Sequence, residues 1–323
     1  MAYATGSSFS QNDLLQQLAA WLVIQGWTLD ASQADGLGWR CHLHKGSIYA
    51  HFRVKPDGAP FNGYVSWDCH VPTLALYLSS GFEAGAGGIY YNNLIGAPKG
   101  NADNKVCGEC MIINSGANFS YHFFHDGNDN YAFVVERDAG LFSALGFGFS
   151  LIKHGGNWTG GQYIWGHFTG GGVNDWPLND TSQAPFIYGA NEAVTSNAGL
   201  VRADVNSFTD KWICIGPNVQ TDRHNWTGKR GYSTVPGRTS LPGTIPHTAD
   251  LDNYTVSSVN NQAVLLPIRV YVDLDELGPA LLGTVPSAYR TKAVGNGYLA
   301  TDEVQYGADT YKLFPNFAVK KVA

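Results

Sequence analysis

At 323 residues the chain is long enough to bury a substantial core, and 44% hydrophobic content with 13% aromatics excludes a disordered polypeptide. A net charge of −6, with Lys229-Arg230 as the one adjacent basic pair before the extreme C-terminus, argues against nucleic acid as a partner, because phosphate contacts need a Lys/Arg patch. Only 14% of residues are charged, and glycine (39 residues), aromatics and Asn/Ser/Thr take their place, a bias that suits short strands, turns and a surface partly covered by partners.

In chain order, the first element is a helix over 11–25. Ser10 is placed to cap it with Asp13 three residues on, Leu14, Leu15, Leu18, Trp21, Leu22 and Gln25 form its stripe, and Gly26 supplies the stop. The pattern then switches to period two. GWRCHLHKG (38–46) and SIYAHFRVK (47–55) predict strands paired around Lys45-Gly46, and NGYVSWDCH (62–70) predicts a third. TLALYLSS (73–80) is short enough to be strand or helix, and 81–100 reads as a Gly-rich loop or a poor strand. CMIINS (110–115) follows.

SYHFFHDGNDNYAFVVERD (120–138) mixes two histidines and several acids around a DGND turn. As a hairpin it places Tyr121, Phe123 and His125 on one face of the strand and His122 and Phe124 on the other. The returning strand sets Tyr131, Phe133 and Val135 against Ala132, Val134 and Glu136, and Asp, Gly and Asn meet the needs of the turn. Further runs follow at 140–155, GGQYIWGHFTGGG, APFIYGAN, DKWICIG and AVLLPIRVYVDL. EVQYGADTYKLFPNF closes the chain as two runs joined at Gly-Ala-Asp. Residues 215–263 lack periodic apolar positions and read as an extended arm ordered by contact, with Arg223, Trp226, Lys229, Arg230, Tyr232 and Tyr254 as candidate partner-interface residues.

The expected fold is mainly β, with β-sandwich-like antiparallel sheets, an N-terminal α-helix and long loops. One large domain spans 1–323: helix and first strands over 1–80, a central sheet region over 81–214, the arm over 215–263, and C-terminal strands over 264–323. The longest uncharged apolar stretch, 139–152, is too short and Gly-rich for a membrane span. MAYATGSSFSQND shows no basic n-region or apolar core, so no secretory signal is read. The five cysteines form no disulfide framework and suit synthesis in a reducing cytoplasm.

Chemistry has several candidates. Cys107 and Cys110 have C-x-x-C spacing, but a structural zinc needs two further ligands and no second such motif exists. His42 and His44 share a strand face that His51 opposes across the hairpin; the choice is a transition-metal cluster or polar residues on an exposed face. Asp273, Asp275 and Glu276 cluster at a strand end without a catalytic spacing. Trp158 and its glycines suit sugar stacking or strand ends packed under loops. No catalytic residue, cofactor or metal is assigned, and the chain is read as a non-enzyme.

Four stretches carry a resemblance. They are MAYATG with the helix ending Gln25-Gly26-Trp27-Thr28; the Tyr121–Val135 hairpin; GLFSALGFGFSLIKHGGNWTGGQYIWG at 140–166; and PIRVYVDLDELGPALLGTVPSAYRTK, a strand and a Leu-Gly link, before GADTYKLFPNF. In these the chain resembles structural proteins of tailed-bacteriophage virions, tail or baseplate components among them. The resemblance implies a virion (tail) protein made in the host cytoplasm and present in several copies, with other tail proteins as partners and no catalytic residues to carry over. The alternatives are a receptor- or glycan-binding module of the tail, a head-decoration or collar protein, and a polysaccharide depolymerase.

Overall fold

The computed structural model describes residues 2–55, 73–79, 81–82, 110–112, 118–138, 140–154, 158–166, 199–205, 208–215, 231–233, 260–273 and 279–322. They are mainly β, with one helix near the N-terminus. No helix among them is long and apolar enough to cross a membrane.

Strand β1 (Tyr3–Ser8) leads into α1 (Gln11–Ile24). Ser10 is the N-cap, its hydroxyl accepting from the Asp13 N–H at 3.1 Å. Asp13 replies one residue earlier than a standard capping box, accepting from the Phe9 N–H at 3.0 Å and the Ser8 hydroxyl at 2.9 Å. Gly26, at φ +90, ends the helix where a residue with a Cβ would be strained. Leu14, Leu15, Leu18 and Leu22 are wholly buried, as the stripe predicts.

The smaller sheet runs in chain order: β2 (Thr28–Asp35), β3 (Gly38–Lys45), β4 (Ile48–Lys55), β5 (Thr73–Ser79) and β6 (Cys110–Ile112). The β3–β4 turn is Gly46-Ser47, one residue later than the expected Lys45-Gly46, with Lys45 still paired to Ile48, and the ambiguous 73–80 run is strand β5 over 73–79.

The larger sheet joins β1 to β7 (Phe119–His125), β8 (Asn130–Asp138), β9 (Leu141–Gly148), β10 (Ile152–Lys153) and β11 (Thr159–Trp165). It continues through β12 (Gly199–Val205), β13 (Phe208–Ile215), β14 (Gly231–Ser233), β15 (Leu266–Asp273) and β16 (Pro279–Arg290). β17 (Glu303–Tyr306), β18 (Asp309–Phe314) and β19 (Phe317–Lys321) complete it. Its 14 strands follow the order β1-β7-β8-β9-β11-β12-β13-β14-β15-β16-β19-β18-β17, with β10 on β16. Every pairing between these strands is antiparallel except the single β13–β14 contact; outside them Val294 and Tyr298 form one isolated parallel bridge.

Strand alternation sets the layers. Tyr121, Phe123, Tyr131, Phe133 and Val135 turn toward α1, β3 and β4 in one buried cluster. Phe124, Ala132 and Val134 turn the other way, onto Ile268, Val270, Leu282 and Phe314. The long sheet therefore folds back over itself, and the β7–β8 hairpin lies in a middle layer with apolar cover on both faces. Gly146 and Gly148 of β9 are required there: a Cβ at Gly146 would fall 2.2 Å from the Trp165 ring carbon Cζ2, and one at Gly148 would fall 2.4 Å from the Tyr163 ring. Each aromatic lies across its own register partner, Trp165 on Gly146 and Tyr163 on Gly148, so the GFGF run is a bed for two rings of β11.

Several expectations need correction. β1, β2, β12 and β19 are strands that the pattern reading did not delimit. The Leu-Gly link is the 12-residue strand β16. Its Pro286 lies where the β15–β16 register jumps, beside Ser287 at φ +63, so the proline removes no ladder bond. Within the expected arm, residues 231–233 are β14 of the large sheet. The strand expected over 62–70, most of 81–100 and the APFIYGAN run lie outside the described residues.

Candidate functional site

The two histidine clusters flagged by the sequence are built differently. His42 and His51 are register partners on β3 and β4, with Nδ1 atoms 2.6 Å apart. One ring must donate and the other accept, so at least one of the two is neutral. The Phe82 ring stacks on His42 at 4.5 Å. Burial holds His42 down at about 4, aided by Arg40 and opposed by Asp30. Burial and the neighbouring His42 hold His51 at about 3, against the Gly81 carbonyl. His44, on the same face, is bound instead to the Asp30 carboxylate at 2.9 Å and stacks on Tyr49.

Neither expectation for this cluster stands. The three rings do not converge, and no group of three metal-ligating side chains is present among the described residues. Nor is the face exposed, because His42 and His51 are 8% and 3% accessible. The missing signal is tertiary: β5 and Phe82 cover the pair from distant sequence.

The β7–β8 hairpin matches its expected alternation. His122 accepts or donates at Nδ1 to Tyr3 Oη (2.9 Å) and Thr5 Oγ1 (3.1 Å), and packs near Phe314. Burial, with Lys312 nearby, lowers it to about 4 against the pull of Glu136. His125 points to the opposite side, bonded to Gln25 Oε1 at 3.1 Å and stacked on Tyr131 with ring centres 4.5 Å apart. Its pKa is also lowered, by burial and by Lys45, against Asp126 and Asp129.

Asp126 is a heavily used acceptor. Its carboxylate receives the N–H groups of Asn128 (2.7 Å) and Asn130 (3.1 Å), the Asn130 side-chain amide (2.7 Å) and the Ser287 hydroxyl (2.9 Å). Asn130 in turn accepts from the buried Tyr163 hydroxyl at 2.9 Å. One carboxylate thus ties the hairpin turn to β16, 161 residues away, and to β11. Asp129, at φ +58, pairs with Lys45 of the smaller sheet and accepts from the Tyr131 hydroxyl at 3.1 Å. The sequence pointed to the turn chemistry but not to these long-range ties.

Of the expected interface residues, Tyr232 lies in β14 opposite Tyr271. Arg223, Trp226, Lys229, Arg230 and Tyr254 lie outside the described residues, as do Cys107, Asp275 and Glu276. Cys110 opens β6, and Asp273 ends β15 opposite Pro279. Trp158 is half-buried, with the Lys153 ammonium 4.6 Å from its ring centre, which takes one ring face out of use for stacking. A scan against protein-family models and a search of curated proteins found no match for this chain.

Proposed function

We propose that the chain is a structural component of a tailed-bacteriophage virion, placed in the tail at the baseplate or tip, and assembled in several copies with other tail proteins. The observation that carries this reading is the use made of its reactive-looking side chains. His122 bridges β1 to β7, Asp126 ties a turn to β16, and His42 and His51 form a covered rung between β3 and β4. Each is spent on construction. The resemblance supports the same reading, because its central stretches form the middle layer of the sandwich. The low charge suits a surface that neighbours cover.

Quantitative mass spectrometry of purified particles tests it. The expected result is the chain at a fixed ratio to the other tail proteins, with cross-links from Lys229 to a neighbouring subunit. Its absence from particles that carry complete tails overturns the proposal.

A further inference from the structure

One side of the molecule has the makings of an interface. β1 is the terminal strand of the larger sheet and β2 the terminal strand of the smaller one. The helix α1 closes the gap between them: Gln17 donates to the Ser7 carbonyl on the β1 side at 3.3 Å, and Asn12 donates to the Leu37 carbonyl at the β2–β3 turn at 3.1 Å. The outward face of the helix is made of Gln16, Ala20, Val23 and Ile24. Ile24 is 71% exposed, and Phe9 and Leu37 at the other end of the helix are 73% and 72% exposed.

Charge is almost absent here. Residues 1–29 contain one charged side chain, Asp13, and it is spent on Ser8, the Phe9 N–H and Gln17. On β2, Asp30 is hydrogen-bonded to His44 and Asp35 is ion-paired to Arg53. A solvated helix ordinarily carries Lys and Glu on its outer face. The far edge of the larger sheet shows that pattern, with Lys312 and Lys321 on Glu303 and Lys320 on Asp309.

We infer that this face, α1 flanked by β1 and β2, is where a second copy of the chain docks, two-fold related, helix against helix. A strongly charged partner would find no countercharge on it. The face is complementary to a surface as uncharged as itself, and two copies of a chain with net charge −6 meet there without like charges opposed. Ala20, at the middle of the outward stripe, lets the two helices approach closely. Specific pairs bury about 800 Å² per partner. A 14-residue helix, roughly 21 Å by 10 Å, presents only about 200 Å², so the terminal strands take part. The inference does not depend on the virion reading.

Sedimentation velocity of the full chain over a range of concentrations tests it. The wild type is expected to show a monomer–dimer equilibrium. Ala20→Glu, which opposes two carboxylates at the symmetry axis and is a good helix former, is expected to weaken the dimer by at least about tenfold. Leu299→Glu, at a 75% exposed site between β16 and β17, is expected to leave it unchanged. An unaltered melting temperature in Ala20→Glu shows that the fold has not been lost. A wild type that stays monomeric at its highest soluble concentration overturns the inference and leaves the face to a different protein. A dimer that survives Ala20→Glu overturns it equally.

Discussion

The two histidine pairs make opposite use of strand geometry. His42 and His51 sit on adjacent strands as register partners, so their rings meet under a cover of β5 and Phe82. His122 and His125 sit three apart on one strand, so their rings leave on opposite faces and serve different layers. Closeness in sequence is thus a poor guide to shared chemistry in a sheet, while register is a good one. Both arrangements nevertheless bury neutral imidazole, and that common cost offers the widest way to probe the comparison.

Acid is expected to give the largest effect. Burial holds His42 at about 4, His51 at about 3 and His122 at about 4, whereas in the unfolded chain each binds its proton near the ordinary value of 6.5. Their folded values are depressed, so the stability they contribute is complete above about 6.5 and is lost as pH falls toward 4. With the unfolded state holding about three more protons, stability falls by roughly 4 kcal/mol per pH unit near pH 5. Urea unfolding at pH 7, 6, 5.5 and 5 measures the slope. Replacing His42 and His51 together with Phe and Leu removes about two of the three protons, while His122→Phe removes about one. Equal slopes in all three proteins would break the comparison.

Asp126→Ala comes next, because it removes a charged acceptor of four hydrogen bonds and takes one partner each from the buried Asn130 amide, which keeps the Asn128 carbonyl, and from the Ser287 hydroxyl. The expected cost is about 3 kcal/mol in chemical denaturation. Asp126→Asn keeps an acceptor oxygen and is expected to recover roughly half of it. If both variants match the wild type, the turn is not tied to β16 as described.

What the sequence disclosed depended on how local the cause was. α1 was legible because its stripe, its Ser10 cap and its Gly26 stop all lie between positions 10 and 26. The β7–β8 hairpin was legible because the turn residues and the alternation agree. β2 was not, since TLDASQAD is exposed nearly throughout and has no apolar alternation to read. β16 was missed because Pro286 looks like a break until the β15–β16 register jump explains it. At the candidate site the facing of His122 and His125 followed from alternation alone. The burial of His42 and His51 did not, because their cover comes from β5 and Phe82. The value of Gly146 and Gly148 was equally hidden, since the rings that fill them belong to another strand.

The smallest expected effect separates the two faces of β7. His125 stacks on Tyr131 with an interplanar angle of 3° and donates one bond from Nδ1 to Gln25 Oε1, at the helix end. It is less covered than His122, and when the ring is removed Tyr131 keeps its bond to Asp129 and Trp27 its packing on Phe147. His125→Ala is therefore expected to cost about 1 kcal/mol, the worth of an aromatic stack and a modest hydrogen bond. His122→Ala exposes Tyr3 Oη and opens a gap beside Phe314, so about 2–3 kcal/mol is expected there. Because the residues serve separate layers, the double variant is expected to cost the sum within about 0.5 kcal/mol. Measured coupling of 1.5 kcal/mol or more, in either direction, would mean that the two rings act together after all and that strand alternation does not keep them apart.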